Sequence, residues 1–186
     1  MSISLRAASH GVTAAAVFGL GMTLAMPAFA DGGGGGKDST PSTQTCGKGE
    51  VWDSRSQKCV RADNGVLPDK NLADNAYALA KAGRYTEALA VLDLMKDPNT
   101  AVALNYRGYA TRRMGRVDEG IGYYLKSVML DPNYTQVREY LGEAYVIKGD
   151  MARAEQQLHA IKKICGGTTC EEYQNLAVFI ADPAKL

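Results

Sequence analysis

An excess of charge of either sign is missing from this sequence, which sets 21 Lys and Arg against 20 Asp and Glu for a formal net charge of +1. A chain so balanced presents no electrostatic footprint for nucleic acid or for an anionic membrane surface. Histidine is almost missing too, with only His10 and His159 in 186 residues. The chain also has no nucleophile elbow, no closely spaced pair of metal-ligating side chains and no paired carboxylates at a turn. Catalysis therefore finds no constellation to use, and the expectation is a protein that is not an enzyme and needs no cofactor and no metal. The glycine run GGGGGK at 32–37 is not a phosphate cradle, because Asp38 stands where a P-loop needs Ser or Thr and no strand precedes it.

The N-terminus carries an address rather than a fold. Arg6 is followed by an apolar stretch from Val12 to Met26, then by Pro27 and by Ala28-Phe29-Ala30, with small residues at −3 and −1. This predicts a secretory signal peptide over 1–30, cut between Ala30 and Asp31. The alternative, an uncleaved anchor, is disfavoured by a stretch rich in Ala and Gly rather than Leu. Removing the leader leaves 186 − 30 = 156 residues with 20 basic and 20 acidic side chains, enough for one domain with a core, located in the periplasm or secreted.

Residues 31–67 change composition. The stretch DGGGGGKDSTPSTQT has no large apolar side chain, so it cannot offset the entropy of being ordered and reads as a flexible linker. Within it, CGKGEVWDSRSQKCV at 46–60 predicts a small hairpin, Glu50-Val51-Trp52 returning through Lys58 to Val60, which is too small to hold itself without a clip between Cys46 and Cys59. Its spacing resembles the last cysteine loop of peritrophin-type chitin-binding modules over these 15 residues alone. That resemblance implies a second functional reading, a wall- or glycan-associating envelope protein in which Trp52 stacks on a sugar.

Four cysteines in an exported chain point to two disulfides, and the sequence-local pairing of Cys46 with Cys59 and Cys165 with Cys170 is the simplest of three connectivities. Loops this short would each contribute about 2 to 3 kcal/mol. Neither spacing forms the C-x2-C knuckles of a thiolate zinc site.

From residue 68 onward a repeat dominates. Residues 101–134 and 135–168 are two 34-residue units without a gap, and 69–100 fits the same register two residues short. Turn glycines Gly83, Gly115 and Gly149 recur at intervals of 32 and 34. Small residues recur with them, Ala76, Gly108 and Gly142 in each first helix and Ala88, Gly120 and Ala154 in each second, while Leu92, Tyr124 and Leu158 share a large position and Asp131-Pro132 closes the middle unit. This pattern resembles the tetratricopeptide repeat. The resemblance implies an all-α fold of three helix hairpins stacked as a short right-handed superhelix over 68–168, each burying its apolar face only against its neighbour. Arg107, Thr111 and Ser127 depart from the family pattern in the middle unit. Lys96-Asp97-Pro98 predicts that the second helix of the first unit stops about half a turn early.

An array must be capped. At 169–186, Thr169 is placed to N-cap a last helix with Glu171 and Glu172 in its first turn, and Tyr173, Leu176, Ala177 and Ile180 make one apolar stripe against the last hairpin.

The same resemblance implies a concave groove lined by the first helices. Here that groove would present Tyr77, Lys81, Asn105, Tyr109, Arg112, Arg113, Glu139 and Glu143, suiting a peptide or protein partner that carries charge and an aromatic group. Ala73 and Tyr77 stand where the carboxylate clamp of such arrays has Lys and Asn, so that specific mode is not expected. The leading reading is a scaffold in the cell envelope, with no nucleic-acid partner and no membrane insertion after cleavage.

Overall fold

The computed structural model describes residues 44–65 and 67–185. The leader, the cleavage site at Ala30 and Asp31 and the glycine-rich stretch lie outside the described residues.

Among the described residues, seven α-helices follow a two-stranded antiparallel hairpin. The strands are β1, Glu50–Asp53, and β2, Lys58–Arg61, paired with Trp52 opposite Cys59. The helices are α1 (Asp69–Lys81), α2 (Tyr85–Leu92), α3 (Ala101–Arg113), α4 (Val117–Leu130), α5 (Thr135–Ile147), α6 (Met151–Cys165) and α7 (Glu171–Ala181). They pair as α1 with α2, α3 with α4 and α5 with α6, and α7 lies on α5 and α6. None of the described helices is long and apolar enough to cross a membrane.

The three hairpin turns close in one way. Gly83, Gly115 and Gly149 have φ of 78°, 86° and 72°, a left-handed conformation that costs glycine nothing and other residues roughly 1 to 2 kcal/mol. In each turn the following residue donates its N–H back to the helix, Arg84 to Leu79, Arg116 to Thr111 and Asp150 to Tyr145, so otherwise orphaned carbonyls are satisfied. The repeated glycine is therefore a backbone requirement met three times.

The small positions mark where helices come closest. A Cβ built on Gly108 would lie 2.6 Å from Cε1 of Tyr124, the fully buried ring on α4 that plugs the α3–α4 gap. At Gly142 the intruder is Leu176 of α7, 2.5 Å from such a Cβ. The cap thus seats its one fully buried side chain in the notch that α5 leaves open, while Leu158 of α6 is only half-buried.

Two of the three middle-unit departures find polar partners, and the third is packed away from water. Arg107 pairs with Asp93 at 2.7 Å, joining α3 to the end of the first hairpin, and Ser127 donates to the Ala101 carbonyl at 2.7 Å. Thr111 is buried.

Two expectations need correction. α2 ends at Leu92 and has 8 residues against 14 in α4, so it stops more than a full turn early rather than half a turn. The carboxylate of Asp69 accepts the N–H groups of Lys96 and Asp97 at 2.9 and 2.8 Å, holding that stretch in a turn against the start of α1. Thr169 does not cap α7, which begins after Cys170 with no side-chain cap, because the bridge from Cys165 to Cys170 already pins the chain there.

The hairpin is part of the packed body. Val51 is 1% exposed, and Asn75 of α1 grips the backbone of Trp52 from both sides, its Oδ1 accepting from the Trp52 N–H at 2.6 Å and its Nδ2 donating to the Trp52 carbonyl at 2.8 Å. Arg84 donates to the Cys46 carbonyl at 2.5 Å. Gly108→Ala should lower stability by about 1 to 3 kcal/mol, because the Tyr124 ring has no room to retreat. Gly167→Ala, whose added Cβ meets nothing within 4 Å, is the control. Thermal melts read both, and an unchanged midpoint for Gly108→Ala would contradict the close approach.

Candidate functional site

The first helices α1, α3 and α5 lie side by side, and the residues expected to line a groove sit on them. Six of the eight are buried: Tyr77, Asn105, Tyr109, Arg112, Glu139 and Glu143 are all under 9% exposed. These six are packed into the array, where their partners are other side chains of the protein. Lys81 and Arg113 remain exposed.

Four tyrosines fill the centre. Tyr77 stacks on Tyr106 with ring centroids 4.6 Å apart, and Tyr109 lies 5.0 Å from Tyr140. The hydroxyls of Tyr77 and Tyr140 meet at 3.1 Å, which carries a hydrogen bond from α1 across to α5. Offset and edge-on tyrosine pairs add about 0.5 to 1.5 kcal/mol each beyond burial. Tyr106 and Tyr140 were absent from the sequence-based groove set, although both hold the sixth position of their units, 34 residues apart. That shared position was the available signal.

Beneath the tyrosines Arg112 makes the only ion pair with both side chains buried among the described residues. Its Nη2 donates to Glu143 Oε2 at 2.5 Å, and its Nε donates to the Tyr124 hydroxyl at 3.2 Å. The guanidinium also lies 5.7 and 5.9 Å from the Tyr109 and Tyr140 rings. Burial works against its charge, but Tyr124 and Glu143 more than offset that, and its pKa is held above the usual arginine value. Arg112 is thus a bolt between α3, α4 and α5.

A second polar cluster seals the α3–α5 contact. Asn105 Nδ2 donates to the Tyr134 hydroxyl at 3.0 Å and to Gln136 Oε1 at 2.9 Å, and Tyr134 donates to the same Gln136 oxygen at 2.9 Å. On the cap side, Asn175 Nδ2 donates to Glu139 Oε1 at 3.0 Å, and Thr135 donates to Glu172 at 2.7 Å.

What stays open is a cationic edge. Lys81 Nζ lies 5.6 Å and Arg113 Cζ 6.0 Å from the centroid of the same Tyr109 ring, and Arg113 Nε donates to the Tyr85 hydroxyl at 3.3 Å. Two cations from neighbouring units converge on one aromatic, and among the described residues neither is tied to a carboxylate in an ion pair.

The cysteines form two local disulfides, Cys46 with Cys59 and Cys165 with Cys170, with Cα separations of 5.7 and 6.3 Å. Trp52 is half-buried beside the first. His159 is exposed on α6.

The Glu139 carboxyl is pushed up to about 8, first by burial and next by Glu143, with the Asn175 hydrogen bond working the other way. An acid whose folded value lies above its ordinary 4.5 binds more protons folded than unfolded, so its contribution to stability is full below about pH 4.5, falls as pH rises and levels off above about 8. Glu139→Gln keeps an acceptor for Asn175 and should flatten that fall, giving a higher melting temperature than the parent at about pH 9. Thermal melts across this range test it, and an unchanged slope would contradict the assignment.

No protein-family model matches this chain, and no curated protein matches it. Solved structures do. The type III secretion translocator chaperone SycD of Yersinia enterocolitica superposes with a TM-score of 0.52 at 19% identity, over 63% of this chain and 89% of that one. The first TPR domain of the human RPAP3 protein gives 0.53 at 19% identity, over 63% and 92%. The second TPR domain of the same human protein, in complex with the HSP70 peptide SGPTIEEVD, gives 0.52 at 16% identity, over 65% and 98%. At these identities the likeness speaks to fold, and the fold is an all-α, tetratricopeptide-like array.

Proposed function

We propose that this chain is a non-enzymatic scaffold that binds an acidic segment of a protein or peptide partner along the α1–α3–α5 face, in the periplasm of a bacterial cell envelope. The observation that carries the reading is the convergence of Lys81 and Arg113 on the Tyr109 ring. An ammonium and a guanidinium held on a buried aromatic can meet carboxylates without first breaking an internal ion pair. The buried tyrosines beneath keep that edge rigid, which limits the entropy lost on binding.

The neighbouring folds support a peptide as the ligand class. The RPAP3 domain holds a peptide ending in Glu-Glu-Val-Asp, and SycD is solved in complex with a peptide of the translocator YopD. Here the binding energy is assigned to the exposed edge rather than to Arg112, Glu139 and Glu143, which are already paired or buried. The envelope assignment rests on Ala28-Phe29-Ala30 and is supported by two local disulfides, which persist in oxidising compartments.

Fluorescence anisotropy with synthetic nonapeptides ending in a run of Glu and Asp, against copies with those residues amidated, tests the reading. The acidic peptides should bind more tightly, and Lys81→Ala or Arg113→Ala should each weaken them by roughly ten- to a hundredfold with the melting temperature unchanged. Equal binding of both peptide sets, or of parent and variants, would overturn it.

A further inference from the structure

The corner between α6 and α7 carries more chemistry than a covalent staple needs. Cys165 ends α6, Cys170 stands just before α7, and the bridge between them closes the turn over Gly166 to Thr169. The two sulfurs and a carboxylate oxygen of Glu172 all lie within 4.8 Å of one another, and the three residues are half-buried. No other trio of His, Cys, Asp and Glu side chains among the described residues gathers its ligand atoms this closely. Glu172 is held there from a second element, because Thr135 at the start of α5 donates its hydroxyl to Glu172 Oε1 at 2.7 Å. Outer hydrogen bonds of this kind are what orient the ligands of a metal ion.

The same atoms can ligate once the sulfurs are no longer bonded to each other. Four residues separate Cys165 from Cys170, within the roughly two to four typical of paired thiolate ligands. Thiolates on one tetrahedral zinc ion stand roughly 3.8 Å apart, given bonds of about 2.3 Å. The turn can open to that span, since a Cβ added at Gly166 or Gly167 would meet nothing within 4 Å. A closed four-thiolate site stays excluded by the spacing of the cysteines, but a three-ligand site needs this one pair alone. Two thiolates and a carboxylate around a divalent cation leave a single negative charge, which the N-terminus of α7 and Lys162 and Lys163 in the last turn of α6 offset.

We infer that Cys165, Cys170 and Glu172 form a zinc site in the reduced protein, so that a metal ion and a disulfide are alternative clasps for α7. One thiolate of a dithiol reductant attacks a sulfur of the bridge and expels the other as a thiolate, and the reductant's second thiol then releases the mixed disulfide. The reductant leaves as a disulfide, and the protein has gained two electrons and two protons. Zn2+ displaces those two protons, binding both sulfurs and the carboxylate with water in the fourth position. The clasp matters because α7 has one fully buried side chain, Leu176, which fills the notch over Gly142. With neither clasp in place, α7 depends on its packing and on the hydrogen bonds that tie Asn175 to Glu139 and Glu172 to Thr135. This site does not depend on the peptide reading above.

Titration of Co2+ into the full chain, reduced with a phosphine and kept free of oxygen, tests the proposal. The reduced parent should take up Co2+ with thiolate-to-cobalt absorption in the near ultraviolet, and Zn2+ should displace it. The disulfide form should show no such absorption. Competition with a chelating dye should show Glu172→Gln, which keeps an acceptor for Thr135, weakening Zn2+ by about tenfold or more. Zn2+ should also raise the melting temperature of the reduced parent and leave that of the Cys165→Ala/Cys170→Ala variant unmoved. A reduced parent without the absorption, an absorption that survives in Cys165→Ala/Cys170→Ala and so belongs to Cys46 and Cys59, or a Glu172→Gln variant that holds Zn2+ as tightly as the parent would overturn the inference.

Discussion

The contact between Arg112 and Glu143 is the constraint around which the array is organised. Two charges with side chains 3% and 9% exposed have been taken out of water, at a desolvation cost of several kcal/mol per ion. Such a pair persists only when its remaining donors are satisfied and its geometry is held, and here Tyr124 takes the second donor while Tyr109 and Tyr140 supply ring faces. Those requirements fix the neighbours in turn. Tyr124 must lie against α3, and so position 108 has to be glycine; Tyr140 must stand beside Tyr109, and its hydroxyl then reaches Tyr77 on α1. One buried pair thereby couples three hairpins that the sequence writes as separate units.

This arrangement divides the molecule's polar chemistry into two kinds. Inside, charges and hydroxyls specify which helix meets which, and losing one member would strand the other in a dry site. Outside, Lys81 and Arg113 keep their charge available on a rigid aromatic base. The two ends are secured differently. At the first, Asn75 and Arg84 stitch the disulfide hairpin to the helices by backbone hydrogen bonds, and at the last, Leu176 fills the notch over Gly142 while the bridge from Cys165 to Cys170 holds the entry to α7. An array of three hairpins exposes two apolar end faces, and each is covered by a short element with its own disulfide.

Much of this architecture was legible in the sequence, because the recurring glycines and the small positions are steric requirements that few other residues satisfy. Gly83, Gly115 and Gly149 announced the turns, and Gly108 and Gly142 announced the close contacts. The lengths of α2 and the start of α7 were misjudged for a common reason: each is set by a single non-local or covalent tie, the Asp69 carboxylate in one case and the Cys170 bridge in the other. The face of the first helices was legible in its composition and illegible in its roles. Arg112 and Arg113 are adjacent and chemically identical, yet one is a buried bolt and the other an exposed cation, a difference that depends on Glu143 lying 31 residues further on. Repeat position told which side chains share a face, but not which of them meet across units and neutralise each other. Asn75 carried no repeat signal at all, since its partner is the backbone of Trp52, outside the repeats.

The central claim, that Arg112 and Glu143 hold α3 to α5 rather than serve a ligand, is tested most directly by a double-mutant cycle in urea using Arg112→Met and Glu143→Leu. The account predicts that each single variant loses about 3 to 5 kcal/mol by leaving its partner's charge buried and alone, while the double variant recovers a large part of that loss. Losses that are small for both single variants, or that simply add in the double, would contradict it.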